Sequence, residues 1–120
     1  MPHGPRFQKL ADEAKAKIRE VTPAEARQQQ QAGVLLMDVR ETEEWKQERA
    51  VGAVHLSKGI LEVKIEEKVP DPKAPIILYC GGGNRSALAA ENLQRMGYTN
   101  VASMSGGFKA WKAQNLPTQQ

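Results

Sequence analysis

Apolar residues fall in two alternating patterns along this chain. Unbroken runs occur at VLLMDV (34–39), IILY (76–79) and NVASM (100–104), with a weaker one at AVGAVHL (50–56). A continuous apolar run of that length predicts a strand buried on both faces. Between the runs lie polar segments with apolar residues three and four apart, which predicts helices.

VTPAEARQQQQAGV (21–34) carries the clearest helix signals, with Thr22 as cap, Pro23 at the first position, Glu25 completing an S/T-x-x-E box and Gly33 as the stop. RETEEWKQE predicts a short helix capped by Thr42, and GILEVKIEEKV a further helix. SALAAENLQRMG predicts a helix with Leu88, Ala89, Leu93 and Met96 inward, and SGGFKAWKAQNLP a last one ending before Pro117. The proline-laden VPDPKAP is a loop. Strands alternating with helices predict an α/β domain, with a mainly parallel sheet and helices on both faces.

Residues 1–20 read as an N-terminal helical extension ahead of a domain at 21–120. Their apolar stripe, Phe7, Leu10, Ala14 and Ile18, is thin. It packs on the domain or serves a partner, a homodimer contact among the candidates.

The totals narrow the function. At 120 residues, 40% of them hydrophobic and 26% charged, the chain is one ordinary globular domain. Its net charge of +3 is spread among interleaved acids, which predicts no nucleic-acid surface. No apolar run approaches a membrane span, and the N-terminus lacks the core of a secretory leader. One cysteine excludes an internal disulfide and any multi-cysteine metal site, so the expectation is a reducing cytoplasm and no metal or cofactor.

That cysteine, Cys80, follows the IILY run and precedes Gly81, Gly82, Gly83, Asn84, Arg85 and Ser86. Ligands of open α/β sheets bind beyond the carboxyl ends of strands. Glycines tolerate positive φ, so successive N–H groups can converge into an anion nest, helped by the next helix's N-terminus. Such a setting favours thiolate over thiol. Arg85 adds a fixed charge. The bland alternative is a glycine turn beside an inert, buried cysteine. Four residues separate Cys80 from Arg85, a C-x4-R loop. It suits a single sulfur carried as a persulfide and is cramped for a tetrahedral phosphate.

Three stretches resemble the single-domain rhodanese-like sulfurtransferases: DVRETEEW (38–45), VGAVHL (51–56) and CGGGNRSALAAENLQRMGYTNVASMSGGFKAW (80–111). The likeness runs from about Val21 to Pro117. It implies a rhodanese-like fold, a five-stranded, mainly parallel sheet flanked by helices. It implies that Cys80 takes a sulfane sulfur from a donor such as thiosulfate and passes it to cyanide, a thiol, sulfite or a protein acceptor. Gly81, Gly82, Gly83, Asn84, Arg85 and Ser86 are then the substrate cradle. Phosphatase and arsenate-reductase relatives carry a loop one residue longer. Arg49 stands where the family often has histidine, and Gly81 where thiosulfate-using members often have arginine. The donor stays open among thiosulfate, a mercaptopyruvate-like thiol acid and a persulfide.

Asp38, Arg40 and Glu44 read as an ion-pair network bracing the loop, with Arg85 facing either them or substrate. His55 reads as structural, His3 as part of a frayed end, and Phe108 and Trp111 as core. A non-enzymatic module that binds a partner or senses redox state is the alternative function, and a phosphatase or arsenate reductase is a third.

Overall fold

The structure, a computed structural model, describes residues 3–120; the first two residues of the expected extension lie outside that range. Its elements in chain order are α1 (Pro5–Lys15), β1 (Arg19–Val21), α2 (Pro23–Gln31), β2 (Leu35–Asp38), α3 (Thr42–Gln47), β3 (Arg49–Ala50), β4 (Val54–His55), α4 (Lys58–Lys68), β5 (Ile76–Tyr79), α5 (Asn84–Arg95), β6 (Val101–Met104), α6 (Gly107–Ala113) and β7 (Thr118–Gln119). Five strands form one sheet, order β1-β6-β5-β2-β4, and every pairing in it is parallel. β3 and β7 make a separate antiparallel pair.

The unbroken apolar runs become β2, β5 and β6 because the sheet is covered on both faces. Alternate residues of each strand enter different cores. Met37, Ile76 and Leu78 join Leu61 and Ile65 of α4 and Leu93 of α5. Leu36, Ile77 and Tyr79 join Ala26 of α2 with Phe108 and Trp111 of α6. β5 therefore runs centrally between β2 and β6, and delivers Cys80 to the middle of the sheet's carboxyl edge.

α2 starts as its sequence predicts, with Thr22 and Glu25 exchanging hydrogen bonds at 2.8 and 3.1 Å. α4 forms as expected. Several details differ. The cap of α3 is Glu41 and not Thr42, because the Glu44 side chain reaches back to the Glu41 N–H at 3.1 Å. AVGAVHL divides into β3 and β4 around a turn where Gly52 has φ +72°. Met96 stands exposed, since the inner face of α5 is built from Ala87, Ala89, Ala90 and Leu93.

The stripe expected at the N-terminus is also displaced. α1 ends at Lys15, before Ile18, and buries Ala11 and Ala14 while Leu10 is 54% exposed. Small residues let α1 approach α5 closely, so the buried face is alanine-lined. Arg19–Val21 then enters the sheet as an edge strand beside β6.

Candidate active site

The chain between β5 and α5 wraps around one sulfur. Gly83, at φ +100°, turns its N–H onto Cys80 Sγ at 3.1 Å. The Ser86 N–H, in the first turn of α5, reaches the same atom at 3.3 Å. The Ser86 hydroxyl lies 3.5 Å from Sγ and 2.8 Å from the hydroxyl of Ser103 on β6. Both serines are buried, and Cys80 is only 1% exposed. The thiol is thus buried as a residue and still surrounded by donors aimed at its sulfur.

What frees these amides to face inward is a clamp on the loop's carbonyls. The Cys80 C=O accepts from Phe108 N–H at 2.7 Å, and the Gly81 C=O from Lys109 N–H at 3.1 Å. The first turn of α6 therefore lies directly on the loop. A Cβ at Gly107, whose φ is +58°, would fall 2.5 Å from the Cys80 carbonyl oxygen. Ser103 and Gly107 are among the residues that sequence reasoning did not assign to the site, as are Gln8 and Lys109. Ser103 left no signal inside its apolar run; the glycine pair after β6 was the visible trace of Gly107.

The six predicted cradle residues divide into three kinds. Gly83 and Ser86 bond the sulfur. Gly81 and Gly82 line a cleft of about 750 Å³ on the outer side of the loop, whose lining does not include Cys80 itself. Asn84 and Arg85 send their side chains to other partners. Asn84 exchanges amide hydrogen bonds with Gln8 of α1 at 3.2 and 3.4 Å. Arg85 makes a two-pronged pair with Glu44 at 2.8 and 3.1 Å. Its hydrogen bonds to Glu44 raise the Arg85 pKa and lower that of Glu44.

The expected ion-pair network is two separate pairs. Asp38 and Arg40, both buried, meet at 2.7 Å, and Arg40 also donates to the Glu48 carbonyl at 2.6 Å. Burial alone would lower the Arg40 pKa, but its bonds to Asp38 outweigh that and raise it. The guanidinium lies 4.5 Å from the Phe108 ring centre. His55 bonds the Arg40 carbonyl at 2.8 Å and stacks on Trp45, a structural role. Arg49 lies over the other partner of that stack, 4.6 Å from the Trp45 ring, and donates to the Trp45 carbonyl. Burial pushes the Tyr79 pKa up, and its hydroxyl oxygen accepts from the Ala50 N–H at 3.1 Å. Phe108 and Trp111 are core. His3 packs against Phe7, ring centres 4.9 Å apart.

Among the described residues no three His, Cys, Asp or Glu side chains are grouped to hold a metal ion. No helix among them is long and apolar enough to cross a membrane. The arrangement is a lone sulfur in a cage of fixed dipoles, of the kind that steadies negative charge as it develops.

Known proteins share this architecture. The profile of the Rhodanese-like domain matches residues 22–114. The chain is 36% identical over 101 residues to the thiosulfate sulfurtransferase GlpE of Haemophilus influenzae, covering 83% of this chain and 93% of that one. It is 37% identical over 73 residues to the thiosulfate sulfurtransferase PspE of Escherichia coli, covering 61% and 69%. Among solved structures, a Rhodopseudomonas palustris protein of unknown function, described as a "possible tyrosine phosphatase", superposes with TM-score 0.83 at 32% identity over 99% of both chains. The polysulfide-sulfur transferase homodimer of Wolinella succinogenes superposes with TM-score 0.82 at 28% identity, over 95% of this chain and 87% of that one.

Proposed function

The chain belongs to the rhodanese-like family, and from that premise we propose that it is a thiosulfate sulfurtransferase whose sulfur carrier is Cys80. The observation that carries this reading is the pair of N–H groups, from Gly83 and Ser86, on a single buried sulfur.

The Cys80 thiolate attacks the outer sulfur of thiosulfate. A new S–S bond forms, the old one breaks, and sulfite leaves with its electron pair. The persulfide's outer sulfur then meets an acceptor, such as cyanide or a thiolate, which attacks it and expels Cys80 as thiolate again. Each half-reaction is a displacement at sulfur, so the cycle is ping-pong. No general base is needed, and neither histidine of the chain contacts the loop sulfur. The amides are in place before charge moves, so little reorganisation accompanies each transfer. The cycle ends on a free thiol, which suits a reducing compartment such as the cytoplasm. The exposed Leu10 on the outer side of α1 supports a homodimer contact there, which sedimentation velocity of the wild type and Leu10→Glu compares.

A phosphatase is the second reading, favoured by the description of the Rhodopseudomonas neighbour. Two features oppose it. The loop is C-x4-R, and Arg85, the cation a phosphate would need, already has both prongs on Glu44. A third reading is a module that binds without catalysing. One experiment separates all three: the protein is incubated with thiosulfate and weighed, then given cyanide, and in parallel given an aryl phosphate. A gain of one sulfur atom, absent in Cys80→Ser and discharged as thiocyanate, is expected. No sulfur gain points to the binding module, and Cys80-dependent phosphate release to the phosphatase.

A further inference from the structure

The cleft lined by Gly81 and Gly82, the two residues that follow Cys80, is much larger than thiosulfate or cyanide requires. At about 750 Å³ it has the size of a small-molecule site. Its floor is Gly81, Gly82 and Arg85, while Phe7 and His3, from the start of the chain, make one wall. That wall is fixed in place. The reciprocal Gln8–Asn84 bonds tie α1 to the first residue of α5, and buried Ala11 and Ala14 seat the rest.

An aromatic wall gives nothing to a small inorganic anion, since a ring's face is the negative end of its quadrupole. It does cover the carbon skeleton of an organic molecule. Charge at the rim is of both signs. Glu44 is neutralised by Arg85, which leaves Glu41 and Lys109, both exposed, as the charges facing the opening. Lys109 has no ion-pair partner among the described residues.

Resting on the sulfurtransferase reading above, we infer that the N-terminal helix builds the acceptor site, and that it selects an organic thiol of amino-acid type. Its skeleton packs on Phe7, its carboxylate faces Lys109 and its ammonium faces Glu41. The thiolate attacks the outer sulfur of the Cys80 persulfide; the bond between the two sulfurs breaks, Cys80 leaves as thiolate, and the acceptor departs as its own persulfide. Phe7 and Lys109 are specificity residues of this half-reaction, on an element that precedes the matched family region (22–114) in one case and on α6 in the other.

The test compares acceptors on thiosulfate-loaded protein: L-homocysteine, neutral 2-mercaptoethanol, and cyanide. In Phe7→Ala the ratio of kcat/KM for homocysteine to that for cyanide is expected to fall about tenfold, the size of losing one well-buried contact. Lys109→Gln lowers the homocysteine ratio and leaves the ratio of 2-mercaptoethanol to cyanide where it was. Methionine, a thioether that cannot accept sulfur, is expected to compete with homocysteine, and more weakly in both variants. If α1 only braces the loop, Phe7→Ala lowers all three acceptors in proportion, and that outcome overturns the inference; so does wild-type protein that prefers cyanide and is not inhibited by methionine. Loss of turnover with every acceptor in the wild type would instead overturn the sulfurtransferase reading on which this one rests.

Discussion

Two neighbouring strands of the sheet end side by side and solve their endings differently. β2 ends in Asp38, in register with Tyr79, the last residue of β5. Beyond β2 the chain closes with side chains: Asp38 accepts from the Arg40 backbone N–H and from its guanidinium, which is also spent on the Glu48 carbonyl. Beyond β5 it closes with backbone, as N–H groups of Gly83 and Ser86 gather on Cys80 Sγ. The first ending is chemically complete. Every charge in it has a partner, so it can only hold the fold together. The second leaves a thiol sulfur among backbone donors, which on the reading proposed above would serve a carried sulfur as well as the thiol. Position at the carboxyl edge is therefore not what makes a site; leaving capacity unspent there is.

Breaking the second ending should have the largest functional effect. Cys80→Ser is expected to abolish sulfur uptake and thiocyanate formation outright, with urea unfolding close to wild type, because the hydroxyl is smaller and keeps the same donors. Retained turnover in that variant would falsify the carrier assignment. Breaking the first ending should do the opposite. Asp38→Asn removes the charge facing Arg40 and leaves a buried guanidinium without its counter-ion, which costs about 3–5 kcal/mol. The melting temperature is expected to drop by roughly 10 °C or more. Below that melting point the variant should still gain a sulfur on thiosulfate treatment. A normal melting temperature in Asp38→Asn would show that the pair is not the brace described.

Half of this contrast is visible in the sequence. The cysteine, its glycines and the strand ahead of it are contiguous, so the turn that brings the Gly83 and Ser86 N–H groups onto the sulfur could be read from neighbours in the chain. The capping box at Thr22 and Glu25 was legible for the same reason. What escaped depends on contacts between distant segments. Asn84 could not be matched to Gln8, 76 positions away, nor Arg85 assigned to Glu44 rather than to substrate. Strands of two or three residues, such as β1, β3 and β7, are too short to show a period. On α1 the choice between Leu10 and Ala11 as the buried position is decided by how closely α5 approaches, which no local pattern encodes.

The clamp between the second ending and α6 gives a third, intermediate test. Gly107→Ala places a methyl group where the Cys80 and Gly81 carbonyls already lie, on a backbone with φ +58°. Either α6 or the loop must move, at a cost of about 2 kcal/mol. If the cradle is held from behind in this way, kcat for thiosulfate should fall about tenfold or more, because donor placement matters on the scale of an ångström. Gly97→Ala is the control. It also sits at positive φ, but its Cβ meets nothing. It should lower stability and leave kcat unchanged, so equal kcat losses in the two variants would mean that α6 does not set the cradle's geometry.

The smallest effect concerns Glu44 and Arg85, the pair that belongs to neither ending and links them. Its partners are each about a third exposed, at 37% and 32%, so solvent screens it and its worth is of the order of 0.5 kcal/mol. The Arg85 hydrogen bonds lower the folded-state pKa of Glu44 below the ordinary carboxylate value. The stabilisation is therefore complete above that ordinary value, and is lost as pH falls through the depressed folded one. Glu44→Gln should be slightly less stable than wild type near pH 7, and the difference should shrink toward zero as pH falls below the ordinary carboxylate value and through the depressed folded one, by roughly the pair's small worth. Added salt at neutral pH should shrink it too. Freed from Glu44, Arg85 becomes available to an anion in the cleft, so Glu44→Gln is also expected to lower KM for thiosulfate modestly. If KM rises instead, the pair is positioning the loop, and the division between a saturated brace and an open cradle has to be redrawn to include Arg85 in the brace.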